Sequence, residues 1–191
     1  MNTQQTVGQD ELEPLALLNQ YRAAEVHGAG AIMRLGRLAD NLQLRNDLSR
    51  HLRDEAVHAW LWTKAIQDMG GEIHEVDEPY QTLLAQHFGI PRSLDEFLAL
   101  TWVSERRGCA QYEEHLDVKD IPSVIRRTLR GILKDELWHV SYINEELQRR
   151  ALSNPKLESV IDRALAADER TMTELHATDT FSSGMRPGSA S

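Results

Sequence analysis

Two segments of the chain repeat one pattern: Asp54-Glu55-Ala56-Val57-His58 and Asp135-Glu136-Leu137-Trp138-His139, each D-E-x-x-H. Residues three apart share one face of a helix, so each Glu/His pair presents a carboxylate oxygen and an imidazole nitrogen to one point. For this composition a lone E-x-x-H is expected about 0.7 times by chance, the form with the preceding Asp roughly 0.05 times, and two copies ~0.001 times. Both copies sit in runs of Ala, Leu, Glu, Arg and Gln with scattered Val and Ile, a helix-forming composition. The repeat therefore calls for two helices that turn acid and base toward each other inside a fold.

Start and stop signals bracket five helices. The first runs from about Asp10, an N-cap with Glu13 three residues on, to Ala39. The second spans about Leu42 to Met69 and stops at Gly70–Gly71. The third follows Pro91, with Ser93 and Glu96 in a capping-box pattern, and ends near Leu116. Asp120 and Pro122 open the fourth, which reaches Arg150, and Asn154–Pro155 opens a shorter fifth, ending near His176. The first four are each roughly 40 Å long at 1.5 Å per residue. The joints at 40–41 and 117–121 are short and imply antiparallel hairpins. Residues 70–92 form a far longer link, enough to traverse the bundle and set the second and third helices parallel, with a short helical turn expected at Tyr80–Phe88. The expected architecture is all-α: a four-helix bundle over 10–150 with one long crossover, and a fifth helix over 154–176. One domain then spans 10–177, with loose ends at 1–9 and 178–191.

Counting from the joints brings in two more glutamates. Glu25 and Glu55 are equidistant from Asp40, and Glu105 and Glu136 from 120–121. In an antiparallel hairpin such residues lie at one height, ~22 Å from their own turn. Glu55 stands 14 residues before Met69 and Glu105 12 after Ser93, so the crossover levels the two pairs. Four glutamates and two histidines converge at mid-bundle. Four buried carboxylates at contact range must take up protons or bind cations. Their four negative charges match two divalent ions. Oxygen and imidazole donors without thiolate suit iron or manganese better than copper or structural zinc. Asp54 and Asp135 are placed to accept a hydrogen bond from the imidazole of the opposite motif.

These residues resemble the ferritin-like di-iron carboxylate superfamily, which includes bacterioferritin, rubrerythrin and the hydroxylase and aldehyde-deformylating oxygenase branches. The resemblance covers about residues 10–150 and rests on Glu25, Glu55/His58, Glu105 and Glu136/His139. It implies that Glu55 and Glu136 bridge two ions, that Glu25 with His58 holds one, and that Glu105 with His139 holds the other. A rubrerythrin-type electron-transfer domain would need Cys-x-x-Cys pairs, whereas Cys109 stands alone. The further rubrerythrin glutamate falls on Gly108, and the bacterioferritin haem methionine falls on Ala56, so no haem is expected.

Tyr21, Trp62 and Trp102 lie within helical reach of the ligand positions; core packing is their default role, and electron or radical relay the alternative. Gly28 and Gly108 each follow a single-helix glutamate by three residues, Ala29 and Cys109 by four. These small residues make either a pocket beside the metals or close helix packing, and Cys109 reads as a small buried hydrophobe. His27, His51, His74, His87, His115 and His176 lack ligand spacing and default to surface or satisfied polar roles. On the fifth helix, Leu157, Val160, Ile161, Ala164 and Leu165 form an apolar stripe that must pack on the bundle or another subunit. Apolar Ala56, Val57, Leu137 and Trp138 within the motifs are a motive for expecting a homo-oligomer.

The net charge of −9, from 21 Lys+Arg against 30 Asp+Glu, argues against nucleic acid and anionic membranes. The basic runs Arg126/Arg127/Arg130/Lys134 and Arg34/Arg37/Arg45 fall at opposite bundle ends and make no continuous stripe. With no apolar leader and no apolar run near ~18 residues, the chain reads as soluble and cytoplasmic. The leading functional expectation is a di-iron oxidoreductase acting on O2 or peroxide, with room for a small-molecule substrate. A ferroxidase or iron-storage subunit, and a dimanganese or mixed Mn/Fe peroxide-handling protein, are the alternatives. A tRNA-modifying hydroxylase is disfavoured by charge.

Overall fold

The computed structural model describes residues 9–76 and 79–177. Of the expected loose ends at 1–9 and 178–191, residues 1–8 and 178–191 lie outside the described residues, and Gln9 belongs to the first helix. Six helices build the chain: α1 (Gln9–Leu38), α2 (Leu42–Asp68), α3 (Tyr80–Phe88), α4 (Leu94–Leu116), α5 (Ser123–Ala151) and α6 (Leu157–Ala177). Five are the helices read from the sequence, and α3 is the turn within the crossover.

Local chemistry sets the boundaries. Asn41 caps α2, its Oδ1 accepting from the Leu44 N–H at 2.8 Å. Ser93 caps α4 by accepting from the Glu96 N–H at 3.2 Å, while Glu96 reaches back to the Arg92 N–H at 2.6 Å. That is a capping box displaced by one residue. Beyond α2, Gly70 has φ +73°, a left-handed conformation that favours glycine.

Side-chain pairings across the bundle fix its directions. On α2 and α5, His51 meets Tyr142 while His58 meets Asp135, so the two helices run antiparallel. On α1 and α4, Tyr21 meets His115 while Glu25 meets Tyr112, again antiparallel. Arg22 on α1 meets Thr63 near the end of α2. Thus α2 and α4 are parallel, as the long crossover requires.

Within the four-helix bundle the apolar core divides into two plugs. One, at the end where α1 begins, contains Leu18, Trp62, Ile66, Ile125, Leu129 and Ile132. The other contains Ile32, Leu35, Leu44, Leu48, Leu98, Ile143 and Leu147. Between them lies the mid-bundle layer that carries Glu25, His51, Glu55, His58, Glu105, Glu136 and His139, all buried. A third cluster seats α3 and α6 on α4, through Tyr80, Leu84, Phe88, Ala99, Val103, Ala164 and Ala167. The apolar stripe of α6 therefore packs on this bundle. Arg107 and Asp168 tie α4 to α6 with two hydrogen bonds, and the Tyr80 hydroxyl donates to the same Asp168 at 2.7 Å. Among the described residues no helix is long and apolar enough to cross a membrane.

Candidate metal centre

Each helix of the bundle contributes to one polar layer. Two groups of potential ligand atoms form there, each within 4.8 Å of one another: His51, Glu55, Glu105 and His139, and Glu25, Glu55, His58 and Glu136. Glu55 belongs to both groups. Glu136 faces both histidines, with Oε1 2.9 Å from His58 Nδ1 and Oε2 3.3 Å from His139 Nδ1. Glu25 Oε2 lies 3.6 Å from His58 Nδ1, and Glu105 Oε2 lies 3.5 Å from His139 Nδ1. The structure thus brings Glu25, Glu55, His58, Glu105, Glu136 and His139 to one depth. The i, i+3 spacing within each motif places His and Glu on one helix face, and the opposed hairpins place the faces together.

The rear nitrogens of these imidazoles meet the opposite motif. His139 Nε2 is 3.5 Å from Asp54 Oδ2, and His58 Nε2 is 3.5 Å from Asp135 Oδ2. Neither contact has hydrogen-bond alignment. Asp54 is buried and held by Arg53, at 2.9 and 2.5 Å, whereas Asp135 is partly open to solvent.

Sequence reasoning missed two members of the layer and their partners. His51, assigned a surface or satisfied role, is fully buried and faces the cluster. Its Nε2 lies 3.3 Å from Glu55 Oε1 and 3.5 Å from Glu105 Oε1, and its ring stacks on His139 with centroids 3.5 Å apart. Its Nδ1 shares a 2.8 Å hydrogen bond with the Tyr142 hydroxyl. The available signal was spacing: His51, Glu55 and His58 fall on one face at i, i+4 and i+7. Tyr112 is the second omission. Its hydroxyl donates to Glu25 Oε1 at 2.6 Å, and the Trp62 indole donates to the same oxygen at 3.1 Å. These two donors hold Glu25 with Oε2 toward His58.

The electrostatics follow from burial. Desolvation, then the neighbouring Glu105 and Glu25, push the carboxyls of Glu55 and Glu136 above the ordinary range. Burial also acts upward on Glu105, but His51 and His139 outweigh it and hold that carboxyl well below the ordinary range. Burial acts downward on His58 and His139. The carboxylates of Glu136 and Glu25 nonetheless raise His58 to about 11, and those of Glu105 and Glu136 raise His139 to about 10. Burial wins at His51, which falls below its usual value despite Glu105.

Several buried atoms of the layer have no hydrogen-bond partner: Glu55 Oε1, Glu136 Oε1, His58 Nδ1 and His51 Nε2. An unpaired buried polar group costs ~1–3 kcal/mol. Their convergence on two points, with oxygen and imidazole donors alone, fits a pair of transition-metal cations.

The two glycines beside the site differ. A Cβ on Gly28 would stand 2.1 Å from Glu55 Oε2, so this glycine makes room for the carboxylate itself. A Cβ on Gly108 would meet nothing within 4 Å. Both glycines line a cavity of about 70 Å³ that Glu25, Glu55, Glu105 and Glu136 also border, together with Tyr80 and Gln81 of the crossover. That volume admits a few waters or a diatomic molecule. A wider cleft of about 660 Å³ between α1, α3 and α4 shares Gly28, Ser104 and Glu105 with the cavity and is lined largely by apolar groups such as Val26, Leu84, Phe97 and Leu100.

Of the remaining singled-out residues, Tyr21 is buried in the first plug, stacked on Trp62 and hydrogen-bonded to His115. Trp102 is half-buried, packed against two of the apolar clusters, with the Arg106 guanidinium 4.5 Å from its ring centroid. Cys109 is buried, and burial followed by Glu136 and Glu105 pushes its thiol up to about 12, so it stays protonated. Arg126 of the basic run donates to the Leu116 and Val118 carbonyls at 2.9 Å and closes the α4–α5 joint.

No protein-family model matches the sequence, and no curated protein matches it. Among solved structures the chain is similar to the bacterioferritin-related protein of Bacteroides fragilis, described as a dodecameric thioferritin. The identity is 17%, the TM-score 0.60, and the match covers 74% of this chain and 88% of that one. The helix order, the parallel α2/α4 pair and this likeness establish a ferritin-like fold, and its mid-bundle layer holds two buried Glu/His clusters consistent with a dinuclear metal site.

Proposed function

We propose that the protein is a di-iron carboxylate oxidoreductase that activates O2 or peroxide. The observation that carries this reading is the pair of buried clusters sharing Glu55. Glu55 and Glu136 would lie between two ions, Glu25 with His58 would complete one, and Glu105 with His139 the other. When bound, a ferrous pair supplies the electrons that reduce dioxygen or peroxide.

The chain's own residues do the rest. The two apolar plugs exclude water from both ends of the layer. Tyr112 and Trp62 fix one oxygen of Glu25, so its other oxygen is the one free to bind. Asp54 and Asp135 stand behind the two imidazoles and favour the tautomer with the proton on Nε2 and the lone pair on Nδ1. The cavity beside Gly108 gives a small oxidant access, and the apolar cleft beyond it suits an organic substrate. Anaerobic loading with Fe(II) followed by O2 or peroxide tests the reading. Uptake of oxidant with di-ferric absorption supports it; two bound irons that consume neither would overturn it.

A second reading, a ferroxidase or storage subunit, is favoured by the likeness to a dodecameric thioferritin. Exposed Val57, Trp60 and Leu137 around the motifs give a face on which copies would associate. Light scattering separates the two: a closed shell favours storage, a monomer or dimer favours the enzyme. The donor set accepts manganese as well as iron, and elemental analysis after metal-replete growth decides between them. We place the protein in the cytoplasm.

A further inference from the structure

Resting on the dinuclear reading, we propose that His51 is a seventh ligand, so that the two ions occupy chemically unequal ends of the site. With Glu55 and Glu136 shared, the end completed by His51, Glu105 and His139 has two imidazoles, whereas the end completed by Glu25 and His58 has one.

Four independent features of His51 converge. Its side chain is 0% exposed, so water cannot satisfy it. Nε2 has no hydrogen-bond partner although two carboxylate oxygens lie at 3.3 and 3.5 Å. Both oxygens belong to residues of the same ligand group as His51, so Nε2 is the nitrogen turned into the layer. Nδ1 is held by Tyr142, itself buried on α5. The phenol oxygen can accept from Nδ1–H, and in that tautomer the Nε2 lone pair is the one aimed into the cluster. Finally, His51 stacks on His139 at 3.5 Å with an 18° interplanar angle. The stacking sets the two rings side by side, so that His51 Nε2 and His139 Nδ1 each face an oxygen of Glu105 at 3.5 Å.

The inequality has a chemical consequence. Imidazole favours the later divalent ions, whereas carboxylate-rich surroundings accept harder ions such as Mn(II). The His51 end therefore takes Co(II) first and more tightly. Tyr142 acts as a positioning residue, since it touches His51 rather than the ions.

The test is an anaerobic titration of full-length apo-protein with Co(II), read by visible absorption and by X-ray absorption at the cobalt edge. The wild type is expected to bind two ions in unequal steps, with three imidazoles shared between them. His51→Ala should weaken the tighter step ~10–100-fold, leave the weaker one in place and lower the imidazole count to two. His51→Gln, closer in volume, serves where the alanine variant does not fold, and the wild-type count needs no variant. Two ions with only two imidazoles, or unchanged steps in a folded His51 variant, would overturn the seventh-ligand assignment and leave the dinuclear reading standing. A wild type that binds no cobalt would overturn both.

Discussion

Replacing Gly28 by alanine separates the stability of the bundle from its capacity to bind metal. The new Cβ would stand 2.1 Å from Glu55 Oε2, whereas ordinary contact begins at 3.4 Å, so the carboxylate must retreat by about 1.3 Å. The obstacle is the far end of a side chain, so the helices need not move. Glu55 is buried, however, with His51 and His139 at 3.3 and 3.7 Å from its other oxygen. Displacement therefore misplaces it relative to every other donor. Ligand constellations tolerate about 0.5 Å, and disturbances of this kind cost ~10–100-fold in metal affinity. Alanine in a helix interior is meanwhile about 1 kcal/mol more favourable than glycine, worth ~2–4 °C in a chain of this size. The apo variant should thus melt at or slightly above the wild-type temperature, while thermal stabilisation by added Co(II) or Fe(II) should be largely lost. Thermal scans with and without metal, paired with a binding titration, measure both. A Gly28→Ala protein that binds two ions with wild-type affinity would refute the argument that this glycine exists to seat Glu55.

Other consequences are more direct. Glu55→Ala or Glu136→Ala should abolish binding of at least one ion, which elemental analysis per chain measures; retention of two would contradict a bridging role. Because His58 and His139 are raised to about 11 and about 10, both are protonated in the apo state at pH 7 and must release their protons to bind metal. Calorimetry in two buffers of different ionisation enthalpy should therefore detect release of at least two protons per chain, and affinity should rise with pH between 6 and 8. Cys109, raised to about 12 by burial and by Glu136 and Glu105, should alkylate at pH 8 roughly 10³-fold more slowly than a free thiol in the native apo-protein; iodoacetamide kinetics followed by mass spectrometry check this.

What the sequence could and could not reveal follows from where the information resides. Helix boundaries and the heights of Glu25, Glu55, Glu105 and Glu136 depend on local caps and on counting from the joints, and both are written in one dimension. The D-E-x-x-H repeat survives as a signal because its two donors share a turn of one helix. His51 carried the same kind of signal at i, i+4 from Glu55, but one histidine on a helix is common and its partner Tyr142 lies on α5. Tyr112 was invisible for a stronger reason: its bond to Glu25 depends on the register between α1 and α4, which the crossover sets and no local pattern records. Gly28 and Gly108 look alike in sequence, each three residues after a glutamate. Both border the cavity, and only the lean of Glu55 toward α1 makes Gly28 a seat for a ligand as well.

Anomalous diffraction at the iron edge, from crystals grown after anaerobic loading, tests the central claim most directly. The account predicts two peaks per chain roughly 3.5–4 Å apart, both inside the layer bounded by Glu25, Glu55, Glu105 and Glu136. A single peak, or iron confined to the outer surface with this layer metal-free, would contradict it.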